Sequence, residues 1–233
     1  MQLTVRDVAA ALTVSENEVH RLVSQRGLPA TRVNGQVRFN RAELVEWATV
    51  HKMPLSPAVF QNGNANGHVR LDRALQAGTI VYSLPGTDKE AVLRAVIGAL
   101  PLPAGFDPDF LLRLFLGRES LGSTAMGNGI AIPHPRYPVV LPVDQPSITL
   151  CFLKQPIPYG SPDARPVNAI FAVISPTVGL HLQLLARLAV ALREPAFLTA
   201  IERKSPADEI LEQARRVEDA LHSDRRNGST EAR

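Results

Sequence analysis

The segment GNGIAIPHPR, residues 127–136, runs from three apolar residues, Ile130 to Ile132, onto a histidine set between two prolines. Each proline fixes its own φ and biases the residue before it toward extended backbone. His134 is therefore expected on a stiff, non-helical mount just past a strand over Gly129–Pro133. Such a histidine is either an ordinary strand-end residue or a reactive side chain presented rigidly. The rest of the chain decides.

Around it, strands and helices alternate. Short apolar runs predict strands over Thr79–Ser83, Ser147–Leu153 and Asn168–Ile174. A helix through Leu100 is capped by Asp88 or Thr87, and another through Leu116 starts at Asp107 or Asp109. Helices are also expected from His181 to Arg193, from Ala196 to Lys204, and from a Ser205 cap to Leu221. The fold class is α/β, a mixed sheet flanked by helices.

Upstream the text changes character. MPLSPAVFQNGNANGH, residues 53–68, has two prolines and an Asn/Gly run without charge or periodicity, which reads as a flexible linker. The expected division is a head over 1–52, a linker over 53–69, a body over 70–220 and a disordered tail over 221–233. In the head, Thr4 to Asp7 open a first helix. Ser15 with Glu18 three residues later predicts a capping box on a second, whose inward face is Val19, Leu22 and Val23. Thr31–Phe39 alternates about Asn34-Gly35, a two-residue hairpin signal, and Asn40 caps a third helix through Trp47. Two helices, a two-stranded wing and a closing helix make a winged helix-turn-helix.

Composition narrows the classes. The 233 residues are 45% hydrophobic and 20% charged, with a net charge of +3. Residues 1–55 carry seven Lys/Arg against five Asp/Glu, and residues 56–220 carry fifteen of each. A nucleic-acid site must therefore be local rather than a global field. The single cysteine, Cys151, excludes an intramolecular disulfide and a cysteine-based zinc site, and no metal or cofactor is expected. MQLTVRDVAA has no signal-peptide pattern, and no apolar run approaches the ~18 residues of a membrane span. A cytoplasmic protein without membrane association is expected.

The head stretch LTVRDVAAALTVSENEVHRLVSQRGLPATRVNGQVRFNRAELVEWA, residues 3–48, resembles the excisionase-type, MerR-related DNA-binding heads. That resemblance implies that the second helix enters the major groove and the wing touches the neighbouring backbone. DNA-binding candidates are Asn17, His20, Arg21, Ser24 and Gln25 on the helix, with Arg32 and Arg38 flanking the wing tip. The tip carries few arginines, which points to modest affinity, since Lys/Arg contacts to phosphate dominate such binding.

RESLGSTAMGNGIAIPH, residues 118–134, and SPTVGLHLQLLARLAVALRE, residues 175–194, resemble the signature of enzyme IIA domains of the bacterial phosphotransferase system. The class is mannitol/fructose, type 2, including its nitrogen-regulatory branch. Arg118 stands 16 residues before His134 and His181 stands 47 after it, both in the family's positions. The resemblance implies that His134 accepts a phosphoryl group and that His181 is the second active-site histidine. The residue types suit that chemistry. A neutral imidazole attacks phosphorus, Arg118 neutralises the phosphoryl oxygens, and His181 at a helix N-terminus donates to the added anion. Ser123 and Thr124 either donate hydroxyls to the phosphoryl group or cap and turn the loop. One departure stands out: Pro135-Arg136 follows the histidine, where the family more often has a small residue such as glycine before the basic one.

Together these readings predict a phosphotransferase-linked regulator, a phosphohistidine carrier rather than a turnover enzyme. An HPr-like carrier phosphorylates His134, and the head binds DNA. The alternatives are a phosphocarrier that passes its phosphate to a IIB component or other sugar-transport partner, and a DNA-binding protein with an inert dimerisation module. A homodimer is compatible with each.

Overall fold

The computed structural model describes residues 2–33, 36–51, 53–56, 69–135 and 143–228. The chain divides into two compact units, Met1–Asn66 and Gly67–Arg233.

In the first unit, strand β1 (Gln2–Leu3) leads into helices α1 (Val5–Leu12) and α2 (Glu16–Arg26). Strands β2 (Thr31–Val33) and β3 (Gln36–Asn40) follow, and helix α3 (Arg41–Val50) starts directly behind Asn40. Val33 pairs with Gln36, as a two-residue hairpin requires, while Asn34 and Gly35 themselves lie outside the described residues. β1 was not anticipated; too short to show a period, it exists by pairing with β3. The capping box belongs to α1, where Thr4 and Asp7 bond reciprocally, and not to α2. Ser15 does accept from the Glu18 N–H, but the Glu18 carboxylate turns instead to Arg21, 3.0 Å away. Val19 and Leu22 are buried and Val23 only half-buried. The first residues of the expected linker are tied to this unit: the N–H groups of Met53 and Ser56 donate to Ala48 O and Ala11 O. His68 and most of the linker lie outside the described residues.

The second unit opens on α4 (Leu71–Ala77), a helix not anticipated, followed by β4 (Ile80–Leu84) and α5 (Lys89–Gly98) capped by Asp88. Asp107 caps α6 (Pro108–Glu119), with Pro108 at the first helical position. A hairpin, β5 (Ala125–Gly127) and β6 (Ile130–Ala131), precedes β7 (Ser147–Ile157) and β8 (Val167–Ile174). Three helices close the unit: α7 (Val178–Ala191), α8 (Pro195–Glu202) and α9 (Ala207–Gly228). The sheet order is β4-β7-β8-β6-β5, with β4 parallel to β7, β6 parallel to β8 and the remaining pairs antiparallel. This is the mixed sheet flanked by helices. Its core is apolar side chains of the central strands, among them Cys151, Leu153, Ile170 and Ala172, packed against Val92, Val96, Leu111 and Phe115.

Several boundaries differ from expectation: β6 is confined to Ile130–Ala131, β7 runs on from Leu153 to Ile157, and two helices shift. α7 begins at Val178 rather than His181, because the Thr177 hydroxyl accepts from Leu180 N–H and caps it one turn earlier. α9 runs to Gly228, eight residues into the stretch read as a disordered tail. Ile210, Ala214 and Val217 anchor its buried face, and propagation of a helix already nucleated carries the polar residues along. Residues 229–233 lie outside the described residues.

Gly78, the C-cap of α4, lies directly against β7. A Cβ there would sit 2.1 Å from the Ile148 carbonyl oxygen of β7, which is backbone and cannot rotate away. Gly78→Ala is expected to destabilise this unit by about 1–3 kcal/mol, read as a lowered Tm. An unchanged Tm would show that α4 shifts without penalty.

Candidate functional site

The site is assembled by one topological fact. β6 and β8 are parallel neighbours, with Ile130 opposite Ala169 and Ala131 opposite Ile170. Their C-terminal ends therefore lie on the same side of the sheet, the usual place for a site in α/β proteins. Past the end of β6 the chain reaches His134; past the end of β8 it turns at Thr177 into α7, which carries His181 in its first turn. The two imidazole rings meet with centroids 5.3 Å apart, tilted by 53°. Both are buried.

The β5–β6 hairpin sets the angle of approach. Asn128 and Gly129 form its two-residue loop, both with positive φ, at 54° and 71°. That is the geometry of a type I′ turn, which Asn-Gly favours. The Asp163 carboxylate accepts from the Asn128 N–H at 2.8 Å and holds the turn from the far side.

The His134 ring is fixed by its own chain. Nδ1 lies 2.7 Å from the Ile132 carbonyl oxygen. A carbonyl can only accept, so Nδ1 carries the proton and the neutral ring presents the Nε2 lone pair. Burial pushes the His134 pKa down to about 4, with the Arg118 charge acting in the same direction and the Ile132 hydrogen bond and Glu119 opposing. Burial, with His134 adding to it, lowers His181 to about 3. At neutral pH both rings are neutral. His181 Nε2 is buried with no hydrogen-bond partner in the structure. Its backbone N–H donates to Thr177 O, so what α7 turns toward the site from this residue is the ring together with the positive end of the helix dipole.

Arg118, on the last turn of α6, is buried beside the pair and donates to the Gly122 carbonyl at 2.7 Å. The two hydroxyl candidates are directed elsewhere. Ser123 Oγ donates to Tyr159 O at 2.9 Å, and Thr124 Oγ1 donates to the Glu119 carboxylate. In the unphosphorylated protein both hydroxyls therefore hold the loop. Sequence reasoning missed Glu119, which is buried and paired with Lys89, and Tyr159, whose phenol is pushed up by burial and then by the Glu119 charge. Glu119 stood beside Arg118 in the quoted signature, but nothing local pointed to Lys89, thirty residues away.

In the first unit, Asn17, His20, Arg21, Ser24 and Gln25 are all exposed on α2, opposite the buried Val19 and Leu22. Arg21 is engaged with Glu18, and Ser24 Oγ bonds back to the His20 and Arg21 carbonyls. Arg38 on β3 is half-buried and bonded to Val37 O and Gln36 Oε1. Arg32 lies on β2, and its side chain is outside the described residues.

The family model for the phosphoenolpyruvate-dependent sugar phosphotransferase system, EIIA 2, matches residues 73–216. The chain belongs to this family. A helix-turn-helix domain model matches residues 3–49. A nitrogen regulatory protein of Pseudomonas aeruginosa is 33% identical over 149 residues, covering 62% of this chain and 94% of that protein. One from Bradyrhizobium diazoefficiens is 32% identical over 117 residues, covering 49% of this chain and 74% of that protein. The crystal structure of nitrogen regulatory protein IIA-Ntr from Neisseria meningitidis aligns with a TM-score of 0.53 at 24% identity, covering 62% of this chain and 98% of that one, a likeness of fold. The chain thus joins an EIIA domain to an N-terminal helix-turn-helix domain. Among the described residues, no helix is long and apolar enough to cross a membrane, and no group of three His, Cys, Asp or Glu residues could hold a metal.

Proposed function

We propose that this EIIA-family chain is a phosphorylation-responsive regulator: His134 takes a phosphoryl group from an HPr-like phosphocarrier, and the head binds DNA. The observation that carries the reading is the buried neutral pair, one ring held by Nδ1 and the other with an orphaned Nε2. As the N–P bond of the donor's phosphohistidine breaks, its electron pair stays on the donor ring. The new P–N bond forms from the His134 Nε2 lone pair, and the proton stays on Nδ1, donated to Ile132 O. The ring becomes positive, which the carbonyl stabilises, and Arg118 offsets charge on the phosphoryl oxygens. His181, with its proton on Nε2, donates to one of those oxygens and so satisfies an atom that otherwise stays unpaired at about 1–3 kcal/mol. Pro135 supplies no N–H to the phosphate.

In the head, the exposed face of α2 meets base edges and the wing meets phosphate, with modest affinity because the wing tip carries few arginines. The phosphoryl group adds about two negative charges, which salt screens beyond about 8 Å. Its effect on DNA binding therefore needs contact between the domains or a changed assembly. The test is titration of one genomic fragment, chosen by selection with the full-length protein, at fixed salt with phosphorylated and unphosphorylated protein. Different affinities are expected. Equal affinities would favour a plain phosphocarrier serving a IIB-type partner, and no preference for any fragment would remove DNA as the head's ligand.

A further inference from the structure

A single chain of hydrogen bonds leads from the surface to the nucleophile. Lys89 Nζ, on the first residue of α5, lies 2.9 Å from Glu119 Oε2 at the end of α6. The other oxygen, Oε1, accepts both the Thr124 N–H at 3.0 Å and the Thr124 hydroxyl. The Thr124 carbonyl accepts the Ile132 N–H at 3.0 Å. The Ile132 carbonyl accepts the His134 Nδ1–H at 2.7 Å. The Glu119 side chain is 4% exposed and that of Lys89 30%, so the chain starts at a half-exposed ammonium and ends inside the site.

We propose that Lys89 and Glu119 form a positioning pair for His134, acting through Thr124 and Ile132. This deepens, and rests on, the assignment of His134 as phosphoryl acceptor. Pro133 and Pro135 lack N–H groups, and the two Ile132 hydrogen bonds help set where the ring sits and which nitrogen keeps its proton. Ile132 in turn depends on Thr124. The turn before Thr124 contains Gly122, at a φ of 148°. Glu119 holds it by taking both Thr124 donors. A buried carboxylate needs a paired cation to stay in place, and Lys89 supplies it while lying 4.4 Å over the Tyr159 ring. The Tyr159 carbonyl takes the Ser123 hydroxyl, so the turn is gripped on both sides. The Glu119 charge also favours the positive ring that forms on phosphorylation. Neither residue touches the reacting atoms.

The test uses full-length protein labelled with 15N, with Lys89→Met, Glu119→Gln and Lys89→Arg as variants. Long-range 1H–15N spectra of the unphosphorylated protein report which His134 nitrogen carries the proton, and a purified phosphorylated HPr-like carrier gives the transfer rate. In the wild type the proton is expected on Nδ1. Lys89→Met and Glu119→Gln should mix the two tautomers and slow transfer about tenfold, the scale of a modest misplacement. The final stoichiometry should stay unchanged, and Lys89→Arg should restore both readouts. A merely structural pair would lower the Tm and leave the tautomer alone. Should Glu119→Gln not fold, Lys89→Met at the exposed end decides. Wild-type tautomer and rate in Lys89→Met overturn the pairing role. A wild type that takes no label from the carrier overturns the acceptor assignment instead, and the tautomer still decides the pair.

Discussion

Alanine in place of His134 is expected to abolish acid-labile phosphate on this protein. Incubation with phosphoenolpyruvate, enzyme I and an HPr-like carrier should label the wild type to one phosphate per chain and leave His134→Ala bare. Full labelling of that variant would place the acceptor elsewhere. His181→Ala keeps the nucleophile and loses one donor to the phosphoryl oxygens, so transfer should slow about a hundredfold. The surroundings of the two rings make a second measurement available. A solvent-exposed imidazole titrates near 6.5, whereas burial holds His134 to about 4 and His181 to about 3. Neither ring should take up a proton between pH 8 and about pH 5 in an NMR titration. Because the folded values are depressed, the unfolded chain binds more protons over the window from about 6.5 down to the folded values. The contribution of the pair to stability is therefore complete above about pH 6.5 and is lost as pH falls toward 4 and then 3. A variant carrying His134→Gln and His181→Gln should lose less stability than wild type over that acid range. An identical loss would mean the rings are not buried as neutral groups.

Glu218→Ala is expected to bring the largest loss of stability. Glu218 is fully buried on α9. One carboxylate oxygen accepts from the Leu71 N–H at 2.8 Å and so serves the first turn of α4, where Arg70 at the N-cap makes no side-chain cap. The other pairs with Arg187 on α7, whose side chain is 10% exposed. Truncation leaves a buried guanidinium and a buried N–H without their acceptor, a change that costs about 3–5 kcal/mol. Urea or thermal unfolding of the second unit reads it directly. Glu218→Gln keeps the shape and one acceptor oxygen and should lose less. A Glu218→Ala protein that melts with the wild type would show that water or a neighbouring group replaces the carboxylate.

Local signals were legible wherever the partner lies within a few residues. Thr4, Ser15, Asp88 and Asp107 each cap the helix that follows, because a side-chain oxygen and the N–H two or three residues on are brought together by the chain itself. The Asn-Gly pair in the wing predicted a two-residue hairpin, and the same pair at Asn128-Gly129 makes one beside the site. There the short arms hid it, since β6 has only two residues and no visible alternation. α4 escaped for a related reason: seven residues are too few to show a helical period. Its first N–H is accepted by Glu218, 147 residues away.

For the site, the resemblance of residues 118–134 and 175–194 to the enzyme IIA signature already singled out His134, Arg118 and His181. What those letters could not contain was the partner of each polar atom. The Thr124 hydroxyl could equally have faced a phosphate or a carboxylate, and in the folded chain it donates to Glu119, the last residue of α6. The burial that keeps both rings neutral and the reach of Lys89 to Glu119 arise from the tertiary structure. Capping and turn chemistry act within about one turn of helix or hairpin, so the sequence by itself determined those. Desolvation and the pairing of buried donors depend on which distant segments the parallel β6–β8 contact and the helices around the sheet bring together, and only the tertiary structure decided them.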